Sequence, residues 1–390
     1  MSTYGTLKNV LKVIYAPHKA FNEITQNPKY IGPILIMVLF IAANTGFGCI
    51  LASKSYYEET LPSGAAPQYD EWTENQSWWN STAIISESND SLSGGFYGNK
   101  SIEFDMTNGN QIWMRINFNQ SIKCSGADGY KNISFRIKTI YPNTTELSNG
   151  ALYLFSTQVD NFSYNLSKQS LPSNNIVWNN FTIDLGNEWT ENGNADWNNI
   201  TSLMYDFTWS ENANLTIRLD GLFFRGIFKS GIEAASSSSI LLSYSLTALM
   251  QFVVIWVLLA GLMFIMSKGF KGKTLWKPMF IAVGFALITL FAQMMINVAL
   301  SASLPNLYYP LEWRGGVAGE DQSILNKLVE NTWLASQISS FVNIAIMVWT
   351  ITLCAIATRL LDEFSWSKSF LVATVAYFVT IMAQSFLLGI

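Results

Sequence analysis

Five long apolar runs decide what this chain can become. They cover Tyr30–Ala52, Ser239–Met266, Met279–Leu300, Ile338–Ile356 and Phe370–Leu388. Each is close to the ~20 residues an α-helix needs to cross the hydrocarbon core of a bilayer. A polar segment, Tyr57 to Lys229, separates the first run from the second. The expected fold class is a multi-domain membrane protein: a five-helix α-helical transmembrane bundle plus an extracellular all-β sandwich inserted between spans one and two. The expected divisions are a cytoplasmic amphipathic segment over 1–29, span one over 30–53, the sandwich over 57–230, and spans two to five over 239–390 with an outer loop at 301–337. The lipid bilayer is the first partner implied.

Charge separates the same regions. Tyr57–Ser230 holds ten Lys/Arg against nineteen Asp/Glu, a net charge of about −9, while the rest of the chain sums to about +5. An acidic insert lacks the basic footprint that nucleic-acid binding requires. Its length suits an independently folded domain. Cys124 is its one cysteine, so no disulfide can form within it, and a buried thiol is expected there; Cys49 and Cys354 sit in apolar runs.

Basic residues also orient the spans. Lys8, Lys12, Lys19 and Lys29 precede span one, and Lys268, Lys271, Lys273 and Lys277 fill the loop between spans two and three. Arg359 and Lys368 flank the connection between spans four and five, beside Asp362 and Glu363. A five-span path puts these three stretches on one side, which the positive-inside rule makes the cytoplasm. The insert and the C-terminus then face outward across a plasma membrane.

Twelve Asn-x-Ser/Thr acceptor patterns agree. They lie at Asn75, Asn80, Asn89, Asn99, Asn119, Asn132, Asn143, Asn161, Asn165, Asn180, Asn199 and Asn214, all within the insert. Confinement to one segment points to a glycosylating, extracytoplasmic compartment.

Ahead of span one, Leu7, Val10, Leu11 and Ile14 recur at helical spacing, with Lys8 and Lys12 outside that stripe. The pattern reads as an interfacial helix on the inner leaflet, its lysines toward headgroups. His18 is the sole histidine and makes no metal site. In the second outer loop, Leu304 to Trp313 is rich in interfacial aromatics and a short helix follows through Ile324, Leu325, Leu328 and Val329. Gly315, Gly316 and Gly319 make the turn between them. This loop reads as an interfacial cap over the bundle, or else as a docking surface for the ectodomain or another protein.

No Asp, Glu, Lys, Arg or His lies in the middle of a span; Gln251, Gln293, Asn297, Asn343 and Gln384 are the main polar groups at depth. Ion-coupled carriers use ionisable or interrupted helices around a midplane site. Amides of this kind bind helices to one another.

The insert alternates short β-branched and aromatic runs with turns: 101–105, 111–118, 132–140, 151–156, 176–185, 201–208 and 214–224. Ile133, Phe135 and Ile137 share one face, while Ser134, Arg136 and Lys138 share the other. Period two with one apolar face is the signature of half-buried strands, and seven or more of them suggest a sandwich or jelly roll. Among eight tryptophans in the insert, Trp113 and Trp178 fall inside strand patterns and are expected in the core. Trp72, Trp78 and Trp79 occupy a polar approach segment and are the candidate exposed rings for stacking on a ligand, with packing as the alternative. No carboxylate pair has the context that glycoside hydrolysis needs.

The apolar part resembles the Yip1-domain membrane family, especially its prokaryotic branch. The likeness rests on Tyr15-Ala-Pro-His-Lys-Ala-Phe-Asn-Glu-Ile24, on Asn27-Pro-Lys-Tyr-Ile-Gly-Pro33, and on Gly269-Phe-Lys-Gly-Lys-Thr-Leu-Trp-Lys-Pro278. The family implies a bundle and supplies no catalytic residue; the large insert departs from its compact pattern. The stretches 176–185, Asp196–Leu203 and Thr216–Gly226 resemble carbohydrate-binding and galactose-binding-like jelly rolls. That resemblance implies a structural calcium as the only candidate cofactor, with Asp105 and Asp220 as its candidate oxygen ligands.

The function expected is non-enzymatic. An archaeal cell-surface glycoprotein would use its outer module to contact cell-envelope glycans or neighbouring membrane and surface proteins, and its bundle as anchor or assembly subunit. A transporter or channel component with an ectodomain cap is the second reading, and an ectoenzyme acting on glycans the third.

Overall fold

The computed structural model describes residues 3–63, 70–142, 147–166, 177–235, 237–315, 317 and 319–388. Asn143, Ile176 and Gly316 lie outside them. The chain divides into two compact units: one of residues 1–55, 230–307 and 329–390, the other of residues 56–229 and 308–328.

The first unit is helical. Helices α1 (Thr3–Tyr15) and α2 (Pro17–Gln26) precede α3 (Ile31–Lys54). After the insert, whose only helix of four or more residues among the described residues is α4 (Glu71–Glu74), come α5 (Gly231–Ala234) and α6 (Ser237–Gly269). Next are α7 (Trp276–Ala286), α8 (Ile288–Ser303) and, after α9 (Leu311–Gly315) of the second unit, α10 (Asp321–Asp362) and α11 (Trp366–Leu388). Five helical stretches are long and apolar enough to cross a membrane: 31–54, 238–269, 276–303, 321–362 and 366–387. This is a multi-pass transmembrane bundle with a β domain inserted after its first span.

Close backbone approach holds the bundle. A Cβ on Gly32 would fall within 1.9 Å of the Phe285 ring, and one on Gly284 within 2.6 Å of Pro33. Small residues permit this in a solvent where apolar burial between helices gains little. Ile36, Phe40, Phe252, Leu259, Met263 and Ile281 fill the space around these contacts. The Thr289 and Thr350 hydroxyls meet at 2.7 Å, and the Trp256 indole N–H donates to the Phe280 carbonyl at 2.7 Å.

One expectation needs correction here. The N-terminal segment buries Val10, Val13, Ala20, Phe21 and Ile24 in the bundle core, while Leu11 is 55 % exposed. Its apolar face is covered by protein rather than by lipid headgroups, and the Lys12–Glu23 pair ties α1 to α2. At the end of α10, Asp362 is buried, accepting from the Thr274 amide at 2.8 Å and from the Ser267 hydroxyl. Arg359 lies over the Trp366 ring.

The second unit is a β sandwich. Its strands are β1 (Ser55–Leu61), β2 (Trp79–Ser81), β3 (Ile84–Ser88), β4 (Ser101–Ile122), β5 (Asn132–Tyr141) and β6 (Leu147–Phe155). These are followed by β7 (Asn161–Asn165), β8 (Asn179–Asp184), β9 (Thr190–Asn192), β10 (Ile200–Ser230) and β11 (Leu307–Tyr309). Two pairs of expected strands are each one long strand. β4 and β10 pair along both halves, with register shifts between Thr208 and Leu215 opposite the Asn108–Gly109 bend. Asn108 has φ of 52°, a left-handed conformation that Asn tolerates better than most residues.

Through that bend both strands serve two layers. In the first, β2, the C-terminal half of β4, the N-terminal half of β10, β6, β7 and β9 lie side by side. In the second, the order is β3, β4, β10, β5 and β8. Ile116, Leu154, Leu203 and Tyr205 from one layer meet Phe104, Phe135, Ile137 and Leu219 from the other in one apolar core.

The loop at 308–328 belongs to this unit. Arg225 donates to Glu58 at 2.7 and 2.9 Å and to Glu312 at 2.7 Å, so a buried guanidinium clamps the loop to β1 and β10. Tyr57 stacks on Tyr309 at 5.0 Å. Arg136, expected on a solvent face, is buried beneath the Tyr97 ring and pairs with Glu320.

Candidate functional site

Strand alternation creates the most distinctive surface. On β4 the inward residues Ile112, Met114 and Ile116 are fully buried, so Trp113, Arg115 and Asn117 face out of the first layer. Register places Met204 and Asp206 of β10, then Tyr153 and Ala151 of β6, beside them. Trp113, Arg115, Tyr153 and Asp206 are each half-buried. The Gln111 amide donates to Asp206 at 2.8 Å.

At one end of this strip an open cleft of about 730 Å³ is lined by Arg115, Asn117, Phe118, Thr157, Thr201 and Ser202, among others. The Arg115 guanidinium lies 4.4 Å from the centre of the Phe155 ring and donates to the Ser202 hydroxyl at 2.8 Å. It makes no ion pair among the described residues, and its buried Nε has no hydrogen-bond partner among them. A cation held by a ring and a hydroxyl keeps its charge available to a ligand.

The acceptor asparagines frame the strip. Asn80 stands opposite Arg115 on the edge strand β2. Asn161 and Asn165 stand opposite Phe155 and Ala151 on β7, toward the other edge. Asn119 and Asn199 lie near the cleft end, the latter donating to the Ser156 carbonyl at 3.2 Å. The registered stretches of β10 and β6 that form the centre carry no acceptor pattern. Of the eleven acceptors within the described residues, Asn132 and Asn161 are half-buried and the other nine are exposed.

The tryptophans expected at the surface lie elsewhere. Trp72 and Trp79 are 5 % and 4 % exposed and belong to the core, and Trp78 packs at its margin. The Trp79 indole N–H donates to the Trp72 carbonyl at 2.7 Å, and its ring meets Phe104 edge-on at 5.5 Å. Burial of these large rings outweighs the polarity of their neighbours in sequence. Trp113, placed by its strand pattern in the core, takes the outward position; Trp178 is half-buried against a small cluster of Leu92, Phe96 and Tyr97.

The two calcium candidates do not meet. Asp105 is exposed and bonded to Thr216, four positions along β10 from Asp220, which is ~13 Å at strand rise. Asp220 is fully buried and accepts from the Leu92 and Gly221 amides, both at 2.7 Å. Its neighbour is Asp70, a partner the sequence reading missed because 150 residues separate the two. The two buried carboxyls share one hydroxyl, with Thr73 Oγ1 3.4 Å from Asp220. Thr73 donates to Asp70 at 3.1 Å and accepts from the Gly221 amide at 3.2 Å. Burial, then Glu74, pushes Asp70 up to about 7; burial, then Asp70, raises Asp220 as well.

Calcium takes six to eight oxygens, and this pocket offers two carboxylates and one hydroxyl. One buried Asp70 oxygen lacks a partner, which leaves room for a proton as readily as for a cation. No cluster of three or more His, Cys, Asp or Glu is present among the described residues. Cys124 is buried and unpaired, and burial pushes its thiol up to about 12.

The fold defines a multi-pass membrane protein with an inserted β sandwich. Residues 202–387 match the Yip1 domain family model, so the chain carries a C-terminal Yip1-domain region. The match begins inside β10, and the motifs at 15–33 lie outside it. No curated protein sequence matches the chain.

Among solved structures, a family 11 carbohydrate-binding module from Clostridium thermocellum, in complex with a mixed-linked tetrasaccharide, is 14 % identical. That match covers 43 % of this chain and 94 % of the module, with a TM-score of 0.29. A family 30 carbohydrate-binding module is 9 % identical over 44 % of this chain and 87 % of its own, with a TM-score of 0.30. An exo-β-agarase is 13 % identical over 38 % of this chain and 24 % of its own, with a TM-score of 0.29.

Proposed function

We propose that this is a non-enzymatic, N-glycosylated cell-surface membrane protein whose bundle anchors an outward-facing sandwich. The strip along Trp113, Arg115 and Tyr153 contacts a glycan or glycoprotein of the cell envelope. The observation that carries this reading is the strip itself: two half-buried rings and an unpaired cation at its centre, with acceptor asparagines on the flanking strands. Flat rings suit sugar faces, and an Arg without a carboxylate partner favours an acidic ligand. Glycans on the edge strands would border the strip and leave its centre open.

Full-length protein in lipid nanodiscs, passed over immobilised neutral and acidic cell-envelope glycans, tests the reading. Retention on the acidic set is expected, falling about tenfold or more in Trp113→Ala and Arg115→Ala, as hot-spot truncations do. A wild-type protein that none of the fractions retains, or retention untouched by both substitutions, would overturn it. Glycopeptide mass spectrometry reads occupancy of the acceptor sites separately.

A further inference from the structure

The apolar part holds polar groups that the bundle does not enclose. α8 and α10 meet along a seam of two rungs, one helical turn apart. Gln293 donates to Asn343 at 2.7 Å, and Ser339 donates to Asn297 at 3.4 Å. Asn343 is exposed, as are Ser336 and Ser340 on the same helix. From Asp321 to Ala345 nothing on α10 is buried; its packed portion begins at Ile346.

Lipid tails offer neither donor nor acceptor, so an amide at this depth needs a protein partner. The Gln293–Asn343 rung uses only part of its capacity. Asn343 keeps its Nδ2 donors and Gln293 its Oε1 acceptor, with no partner for either among the described residues. The leftover donor and acceptor share one patch and, being bonded to each other, one depth. A surface with both halves of a hydrogen bond at the same depth is self-complementary under a two-fold axis along the membrane normal. Ser336 and Ser340 beside it lack the bulk that would keep a second helix away.

We propose that this seam is the face across which two copies of the chain associate in the membrane, with Asn343 donating to Gln293 of the partner subunit and the reverse. The occupant is a second copy because the patch completes its own hydrogen bonds.

The test uses the full chain in native-lipid nanodiscs, sized by mass photometry. Dimers are expected for the wild type. Asn343→Leu should weaken association about tenfold, the scale of lost interhelical hydrogen bonds, while Asn343→Gln keeps it. Oxidation of Ser340→Cys should give a cross-linked dimer, and Leu242→Cys, exposed on α6, should not. The cysteine pair needs no change to the rungs, so it stands even where Asn343→Leu fails to fold. A wild type that is monomeric throughout, or equal cross-linking at the two cysteines, overturns the proposal.

Discussion

The bundle and the sandwich solve one problem in opposite ways. Both must bury polar groups, but the bundle buries mostly hydroxyls and backbone, with Asp362 as a lone carboxylate among the described residues, held by Ser267 and Thr274, while the sandwich buries ion pairs. Inside the bundle Thr289 meets Thr350 and the Trp256 indole N–H finds a carbonyl. Inside the sandwich Arg225 is 7 % exposed and Glu58 2 %. The difference follows from the alternatives each sequence has. A span pays for every ion it carries, whereas a polar domain can place ions wherever their partners close the shell. Stability therefore rests on glycine-mediated contact in one region and on a few charge clusters in the other.

The strongest way to break this contrast is at Glu58. Glu58→Gln strips Arg225 of one carboxylate and leaves its charge in a buried site. Losing one partner of such a pair costs about 3–5 kcal/mol. Calorimetry should show a lower sandwich transition by ~10 °C, at ~2–4 °C per kcal/mol for a domain of this size, with the bundle transition unmoved. Equal shifts in both transitions would erase the distinction.

In the bundle the matching change is Gly284→Val, which drives a side chain toward Pro33 and Trp256. Overpacking of this kind costs about 1–3 kcal/mol. Helical melting in detergent should fall, with the sandwich's tryptophan fluorescence transition unchanged.

The acidic pair sharpens the comparison through pH. Asp70 is raised when folded, so the native state holds more protons than the unfolded chain between about 3.8 and about 7. Its contribution is therefore complete below pH 3.8 and is lost as pH rises through 7. The sandwich transition should fall between pH 5 and pH 8 in the wild type, and Asp70→Asn should flatten that slope. A chelator that lowered the transition at pH 8 would show a cation in the pocket instead of a proton.

The smallest effects belong to the exposed acceptors. Asn89→Gln and Asn180→Gln should each lower the glycoprotein mass by one glycan and move stability by less than ~0.5 kcal/mol. Unchanged mass would show those sites unused.

Legibility in the sequence followed range. The spans and most of the sandwich strands were readable because apolar length and period two are local signals. The continuity of β4 was not, since Asn108–Gly109 looks like a hairpin turn and serves as a bend within one strand. Trp72 and Trp79 were misplaced because nothing nearby announces Phe104 or Phe118 as their neighbours. Asp70 and Asp220, or Arg225 and Glu312, are partners only after folding. The Trp113–Arg115 strip needs knowledge of which β4 face is inward, and the sequence signal for it is alternation: Ile112, Met114 and Ile116 share one face, while Arg115 and Asn117 mark the face of Trp113 as the outer one.

One feature bears on how such a chain can change over generations. Within the bundle, the backbone of Ala52 lies so near Gly231 that a Cβ there would sit 3.0 Å from the Ala52 carbonyl oxygen. Within the sandwich, β1 and β10 are neighbours in the sheet. For residues 56–229 the chain thus leaves and rejoins the helical unit at adjacent points, and residues 308–328 add a second excursion into the sandwich unit. An outer domain inserted this way can be lengthened within its own loops without re-routing any helix, whereas exchanging it for another must also supply partners for Glu312 and Glu320 of the second excursion.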